Sequence, residues 1–135
     1  MSEIEIGTVL PSLTVSFHRG TLVQYAGAST DFNPIHWSER KAHELGLPTV
    51  IAHGMLTMGT ALRVVTDWCG DPARVRSYYV RFTKPVTVAD TEEGSEVTFS
   101  GTVTKLAEGV ATVSIEALFA GNKVLGSASA EVFLD

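Results

Sequence analysis

One segment of this chain, Tyr25 to Gly59, contains side chains whose types and spacing can support acid/base chemistry. Asp31 and His36 lie five residues apart, on either side of the pair Asn33-Pro34. A carboxylate and an imidazole this close in a loop can share one water or one substrate hydroxyl, and the Pro34 ring limits how far the loop can change shape. Each residue alone is more often structural, as a turn aspartate or a packed histidine. Together they are more informative, and we interpret them as a candidate catalytic pair.

The pair His53-Gly54 adds a second chemical element, the start of a helix. The apolar run behind it predicts a helix that extends to about Trp68, and its apolar positions cover so much of the circumference that we expect it to be buried on nearly all sides. The free N–H groups at a helix start carry partial positive charge and can stabilise a developing oxyanion, while glycine lets a substrate carbonyl approach. A plain helix start is the commoner meaning of such a glycine. Beside a candidate catalytic pair, Gly54 becomes a candidate oxyanion-hole residue.

Two shorter helices and a loop are expected to position the pair. From Thr21, apolar residues at helical spacing predict a helix of about two turns, with Thr21 as its N-cap. Asn33 precedes a proline and is pushed out of the helical region, so residues 31–36 should form an irregular loop. Ser38 predicts the cap of a second short helix, which Gly46 would end.

The rest of the chain alternates apolar and polar residues with a period of two, which predicts antiparallel strands. One short run precedes the helices and four runs follow them, at 13–17, 78–82, 97–104, 111–119 and 124–132. Turns at 107–109 and 121–122 should make the last three runs antiparallel neighbours. A curled sheet with one apolar face, together with one apolar helix, predicts an α+β fold in which the sheet wraps the helix. The uncovered sheet edges favour pairing with a second subunit.

Length and charge narrow the class of protein. A chain of 135 residues with 44% hydrophobic and 19% charged residues predicts one domain, 1–135, without a linker. The formal net charge of −5 argues against nucleic acid as a partner. Seven of the ten basic residues nevertheless lie between Arg40 and Lys84, a local excess that suits an acidic ligand or carrier.

The sequence also bears on compartment and metals. The single cysteine, Cys69, cannot form an internal disulfide and favours a reducing compartment. Neither a secretory signal nor an apolar run long enough to span a membrane is evident, so we expect a cytoplasmic protein that does not bind membranes. Asp31, His36, His43 and His53 match no standard metal-ligand spacing, and we expect no metal.

The run YAGASTDFNPIH at 25–36, followed by Ala42 and by IAHGM at 51–55, resembles the hydratase motif of the MaoC-like hotdog family. This family contains the (R)-specific enoyl hydratases and the (3R)-hydroxyacyl dehydratases. Within it, the runs NPIHW, IAHGMLTMG and DWCGDP are most similar to the B subunit of the actinobacterial (3R)-hydroxyacyl-acyl-carrier-protein dehydratase. The resemblance implies a hotdog fold in which a curled antiparallel sheet wraps a long central helix, short helices cover the active-site loop, and the protein works as a dimer.

Carried over by position, the resemblance assigns roles to six residues: Asp31 and His36 as the catalytic pair, Gly54 as the oxyanion-hole donor, and Asn33, Pro34 and His53 as supporting residues. The implied reaction is the reversible hydration of trans-2-enoyl thioesters to (3R)-hydroxyacyl thioesters of coenzyme A or acyl carrier protein, with no cofactor. Two positions depart from the pattern. Thr30 stands where the motif has glycine, and Leu62 stands where some members have serine, so no serine role is carried over.

Two alternatives to this function stay open. A hotdog acyl-thioester hydrolase would share the fold and could also use a carboxylate, although the complete NPIH arrangement fits it less well. A non-catalytic acyl-binding subunit is the other, because the family includes heterodimers that divide chain binding and catalysis between two subunits. This chain keeps both Asp31 and His36, so we expect it to be the catalytic member of a homodimer or heterodimer.

Overall fold

The computed structural model describes residues 3–135, in which one face of an antiparallel sheet packs against a long helix. The helices are α1 (Arg19–Ser29), α2 (Glu39–Glu44) and α3 (Gly54–Cys69). The strands are β1 (Leu13–Phe17), β2 (Val75–Phe82), β3 (Ser95–Ala107), β4 (Val110–Phe119), β5 (Asn122–Lys123) and β6 (Leu125–Phe133). Single turns of 3-10 helix occur at Pro34–His36 and Pro72–Arg74. The predicted α+β arrangement of a curled sheet around a helix is confirmed.

The sheet has the strand order β1-β3-β4-β6-β2, and β5 adds a short pairing to β4. Both predicted turns occur between antiparallel strands. Glu108 and Gly109 have φ of 54° and 76°, and Ala120 and Gly121 have φ of 50° and 78°. Two successive residues of positive φ match the twist of the flanking strands in a tight hairpin. Within residues 3–135, β1 and β2 are the end strands of the sheet.

The core lies between the sheet and one face of α3. Alternate residues of β3 and β4 are buried, as the period of two predicts, and α3 contributes Thr57, Ala61, Val64 and Val65. Gly101 lies where the backbone of β3 comes close to α3. A Cβ at Gly101 would lie 3.1 Å from both Val64 Cγ1 and Val113 Cγ1, so only glycine lets the helix pack this closely on the sheet.

The other face of α3 is open, and the prediction of a helix buried on nearly all sides is therefore wrong for this chain alone. Met55 is 59% exposed, Arg63 is exposed, and a Cβ at Gly59 would meet nothing within 4 Å. The reason is that the sheet curls against only one side of the helix. Among residues 3–135, none of the helices combines the length and the apolar character needed to cross a membrane.

The helix α1 begins earlier than the sequence indicated. His18, in an extended conformation, is its N-cap, and Thr21 lies inside the first turn. Thr21 is the third residue of the helix. Its hydroxyl accepts a hydrogen bond from the main-chain N–H of the N-cap residue His18 at 3.1 Å, so Thr21 stabilises the helix start from within the first turn. Thr21 is thus a capping residue, but the prediction that it is the N-cap was wrong.

The second short helix forms as predicted and covers the loop. The Ser38 side chain accepts from the Lys41 N–H at the start of α2, which packs against the 3-10 turn at Pro34–His36. Gly46 follows the helix with φ of 79°. Glu39, at the start of the helix, accepts hydrogen bonds from Thr49 and from Arg19, and these bonds lower the pKa of its carboxyl group.

Candidate active site

The loop that carries the candidate pair begins with a residue in an unusual conformation. Thr30 ends α1 with φ of 61° and ψ of 17°, the left-handed region that glycine adopts readily and a β-branched residue does not. Its hydroxyl donates a hydrogen bond to the Ser29 carbonyl at 2.6 Å. Thr30 therefore adopts the backbone conformation that suits the glycine of the family motif.

Two side chains in succession then shape the loop. The Asp31 Oδ1 atom accepts from the Asn33 N–H at 3.1 Å, and the Asn33 Oδ1 atom accepts from the Ile35 N–H at 3.2 Å. These are turns closed by the side chains of aspartate and asparagine, and Pro34 begins the 3-10 turn that follows. Asn33 and Pro34 thus shape the loop, but the prediction of an irregular loop over 31–36 was wrong for residues 34–36, which form a turn of 3-10 helix because Pro34 fits its first position.

His36 is 8% exposed and is oriented by a main-chain group. Its Nδ1 lies 2.7 Å from the Ile51 carbonyl oxygen. A carbonyl can only accept, so Nδ1 carries a proton, and this tautomer leaves the Nε2 atom as the one that can accept. This Nε2 lies 3.9 Å from the Asp31 Oδ2, and Asp31 itself is 51% exposed. The distance exceeds a direct hydrogen bond and suits one water or hydroxyl held between the two groups.

His53 supports both members of the pair. It is 1% exposed, its Nε2 donates to the main-chain carbonyl of Asp31 at 3.1 Å, and its ring stacks on that of His36. The edge of Tyr25 contacts its ring with centroids 4.8 Å apart. Burial, and to a lesser extent the neighbouring His36, lower the pKa of His53, although the Asp31 carbonyl opposes the shift. The environment of His53 therefore favours the neutral form of its ring.

Gly54 is the first residue of α3, so its N–H has no acceptor within the helix. A Cβ at Gly54 would lie 3.1 to 3.3 Å from three ring carbons of Phe82. Gly54, Phe82 and Lys84 all line a cavity of about 300 Å³. Its wall includes Ile51, whose carbonyl holds His36, so the cavity lies beside the candidate pair.

The structure brings together Asp31, His36 and His53, while Gly54 joins them as the chain neighbour of His53. Asp31 and His36 are not among the residues that line the cavity at Gly54. Sequence reasoning missed Ile51, which acts through its carbonyl oxygen and so leaves no side-chain signal. It also missed the contact of Tyr25 with His53. Leu62 packs against the hydrophobic core.

The same three side chains place one potential metal-ligand atom each within 4.8 Å of one another. Their directions suit hydrogen bonding better. The rings of His36 and His53 are within 21° of parallel, so lone pairs in the ring planes run side by side and do not converge on one ion. The His53 Nε2 is also occupied by the Asp31 carbonyl. The cluster fits a held water or hydroxyl.

Comparison with known proteins relates the chain to one family. Residues 4–118 match the family model described as the MaoC like domain. The chain is 34% identical over 110 residues to the 3-oxo-4,17-pregnadiene-20-carboxyl-CoA hydratase beta subunit of Mycobacterium tuberculosis, a match that covers 82% of this chain and 81% of that protein.

Two further similarities bear on activity and fold. The (R)-specific enoyl-CoA hydratase of Rhodospirillum rubrum is 35% identical over 96 residues, which cover 70% of this chain and 63% of that protein. A solved MaoC-like dehydratase superposes with a TM-score of 0.94 at 39% identity and covers 98% of this chain. This chain spans only 41% of that solved chain. The predicted hotdog fold is confirmed by this similarity.

Proposed function

The chain belongs to the MaoC-like domain family, and we propose that it catalyses the reversible hydration of trans-2-enoyl thioesters to (3R)-hydroxyacyl thioesters. Two relatives are named as hydratases, one of them an (R)-specific enoyl-CoA hydratase. The observation that carries the proposal is the pairing of Asp31 Oδ2 and His36 Nε2 at 3.9 Å, with the imidazole oriented so that a lone pair is free.

In the hydration direction, a water held by Asp31 and His36 adds to C3 of the enoyl group. One water proton passes to the pair as the oxygen bonds to C3, and the electrons of the C2=C3 bond move toward the thioester carbonyl. The resulting enolate takes one proton at C2 from the same pair, which restores the starting protonation. Dehydration runs these steps in reverse. General acid/base catalysis of this kind contributes about 10²- to 10⁴-fold to the rate.

Gly54 is proposed to stabilise the enolate oxygen through its N–H. The N–H lies at the start of a 16-residue helix and has no intrahelical acceptor, so it can donate to an oxygen that gains negative charge. The missing Cβ leaves room for the ring of Phe82, three carbons of which lie 3.1 to 3.3 Å from the place that a Cβ would occupy. Asn33, Pro34 and His53 hold the loop in position, and no cofactor is needed for any step.

The carrier of the acyl group is proposed to be coenzyme A or acyl carrier protein. Lys84 lines the cavity at Gly54 and lies within the basic region that the sequence indicates, which suits a phosphate-bearing carrier. The partner is proposed to be a second hotdog subunit, identical or related. One relative is named as a beta subunit, and the uncovered edges of β1 and β2 are of the kind that a second subunit pairs with. A cytoplasmic location remains part of this proposal.

An assay with crotonyl-CoA tests the reaction. The wild-type chain should hydrate it to the (3R)-hydroxy product, and Asp31→Asn and His36→Gln should each lower kcat by about 10²-fold or more with the fold retained. Asp67→Asn is the matched control, because Asp67 is 63% exposed on α3 and away from the loop. Full activity in folded Asp31→Asn protein would refute the proposal.

The same assay addresses the alternatives. Release of free thiol from acyl-CoA without hydration would identify a thioester hydrolase. An inactive purified chain that gains hydration only with a second hotdog subunit would identify a heterodimer. Asp31→Asn within that complex then decides which chain is catalytic, since only a catalytic subunit loses activity on this change.

A further inference from the structure

Residues 36–51 form a covering segment that begins at His36, contains α2 and returns to Ile51. Two hydrogen bonds join the ends of this segment. The Ile51 N–H donates to the Ile35 carbonyl at 3.1 Å, and the His36 Nδ1 donates to the Ile51 carbonyl at 2.7 Å. The position of Ile51 therefore sets the direction of the His36 ring.

Three side chains, which we call the Arg19 network, close the covering segment a few residues further along: Arg19, Glu39 and Thr49. The Thr49 hydroxyl donates to the Glu39 carboxylate, whose two oxygens lie 2.7 and 2.9 Å away. Arg19, the first residue of α1, donates through its Nη2 to Glu39 and to the Thr49 hydroxyl, which is 3.0 Å away. A planar guanidinium can hold several acceptors at once in a fixed geometry.

Arg19 also holds the main chain beside the end of the covering segment. Its Nε donates to the Val88 carbonyl at 2.7 Å. Val88 is 0% exposed, so its carbonyl needs a donor from within the protein. The Val88 N–H in turn donates to the Val50 carbonyl at 3.0 Å, immediately before Ile51. The guanidinium thus reaches the surroundings of Ile51 by two routes, through Thr49 and through Val88.

The network is partly shielded from water. The side chain of Arg19 is 27% exposed, and Thr49 is half-buried. Hydrogen bonds between charged groups are stronger than those between neutral groups, and the charge of Glu39 balances that of Arg19. Removal of the guanidinium would leave the buried Val88 carbonyl without this donor, which costs more than the loss of an exposed ion pair. The main chain around Ile51 is the part of the site that would then move.

We propose that Arg19 and Thr49 are positioning residues, which fix the Ile51 carbonyl and through it the tautomer and direction of the His36 ring. The proposal rests on the hydration reaction proposed above, in which the His36 Nε2 must accept a proton from the held water. If the Ile51 carbonyl moves, Nδ1 loses the acceptor that keeps it protonated, and the ring can carry the proton on Nε2 instead. That tautomer cannot accept a proton from the water.

Nitrogen-15 NMR of the imidazole rings tests the positioning role without an activity assay. The two neutral tautomers have different ring nitrogen shifts, and the His36 signals are assigned by their loss in His36→Gln. In Arg19→Met and in Thr49→Val, the ratio of the Nε2–H to the Nδ1–H tautomer of His36 should rise about fivefold, as expected for the loss of one hydrogen bond. Thr49→Val keeps the shape of the side chain and removes only the hydroxyl.

Kinetics provide a second readout. In Arg19→Met and Thr49→Val, kcat for crotonyl-CoA should fall about tenfold while KM stays within about twofold, because the substrate contacts persist and the His36 ring is misdirected. Arg19→Lys should be as slow as Arg19→Met, since an ammonium group cannot hold all three acceptors in place. Arg40→Met is the matched control, because Arg40 is 74% exposed on α2 and pairs with Glu44. Its tautomer ratio and kcat should equal those of the wild type.

An unchanged tautomer ratio in folded Thr49→Val and Arg19→Met would overturn the positioning role, even if both proteins unfold at lower urea concentration. Full activity of Arg19→Lys would also overturn it, because a charge alone would then be sufficient. If Arg19→Met does not fold, Thr49→Val decides by the same ratio. A tautomer shift in a chain that does not hydrate enoyl thioesters leaves the link from Arg19 to His36 standing and overturns the proposed function. Hydration by the wild-type chain with no tautomer shift in the variants does the reverse.

Discussion

The imidazole rings of His36 and His53 stack with their centroids 3.7 Å apart. Each ring directs a nitrogen to a main-chain carbonyl, that of Ile51 for His36 and that of Asp31 for His53. His53 thus contacts one member of the proposed catalytic pair through its ring face and the other through a hydrogen bond. The geometry of the pair consequently depends on a residue that need not touch the substrate.

Replacing His53 with phenylalanine should lower activity while the fold persists. The new ring can still stack on His36, but the donor to the Asp31 carbonyl is lost and the loop is held less firmly. We expect kcat to fall about tenfold, equivalent to about 1.4 kcal/mol, with little change in KM. His43→Phe is the control, because the His43 side chain is 59% exposed. Equal activities of the two variants would contradict the positioning role.

The same substitution should change how stability depends on pH. The pKa of His53 is lowered in the folded chain, so below its ordinary value near 6.5 the unfolded state binds more protons than the folded state. Stability is then fully present above pH 6.5 and is lost as the pH falls below that value. In urea unfolding between pH 7.5 and 5.5, His53→Phe should lose less stability than the wild type. Parallel losses in the two proteins would exclude His53 as the cause.

Gly54→Ala should damage catalysis far more than stability. The added methyl group would lie 3.1 Å from the ring of Phe82, which is 51% exposed and can turn aside. The methyl group and the displaced ring would then obstruct the approach to the Gly54 N–H. Loss of one such donor costs about 10²- to 10³-fold in kcat.

Gly59→Ala on the same helix is the matched control for Gly54→Ala. A Cβ at Gly59 meets nothing within 4 Å, so kcat should stay within about twofold of the wild type and the helix should become more stable by roughly 0.5 to 1 kcal/mol. Similar activities of the two alanine variants would argue against an oxyanion hole at Gly54.

Thr30→Gly should stabilise the protein. A β-branched residue at φ of 61° costs about 1 to 2 kcal/mol, and glycine removes that strain at the expense of a more flexible unfolded chain. The net gain should be about 0.5 to 1 kcal/mol in denaturant unfolding. Ala28→Gly, two residues earlier within α1, should have the opposite sign because its backbone is helical. A loss of stability in Thr30→Gly would mean that the Thr30 hydroxyl bond to Ser29 outweighs the strain.

Much of this arrangement could be predicted from the sequence because it depends on side chains with periodic or local signals. The alternation of β3 and β4 predicted which faces are buried, and the Asn33-Pro34 pair predicted that α1 ends before this loop. Asp31 and His36 could be paired because only a short loop separates them. These relationships are local, or repeat along one element, so composition and spacing suffice.

Other features depend on contacts between distant segments. The acceptor that orients His36 is the main-chain oxygen of Ile51, and any residue type at that position could provide it. The open face of α3 could not be predicted either, because apolar periodicity does not reveal how far the sheet curls around the helix. Thr21 shows a third limit of prediction from sequence. A hydroxyl can cap a helix start from the N-cap position or from the third helical residue, and the sequence alone does not distinguish the two.

The position of β2 at the end of the sheet has a consequence for measurement. Its last residue, Phe82, lies over Gly54, so a subunit that pairs with this strand would adjoin the wall of the cavity that contains the proposed oxyanion donor. Dilution that separates the subunits would then remove the neighbouring subunit from that wall of the cavity. Specific activity should therefore fall as the enzyme is diluted at saturating substrate, and rates from different laboratories are comparable only at equal protein concentration.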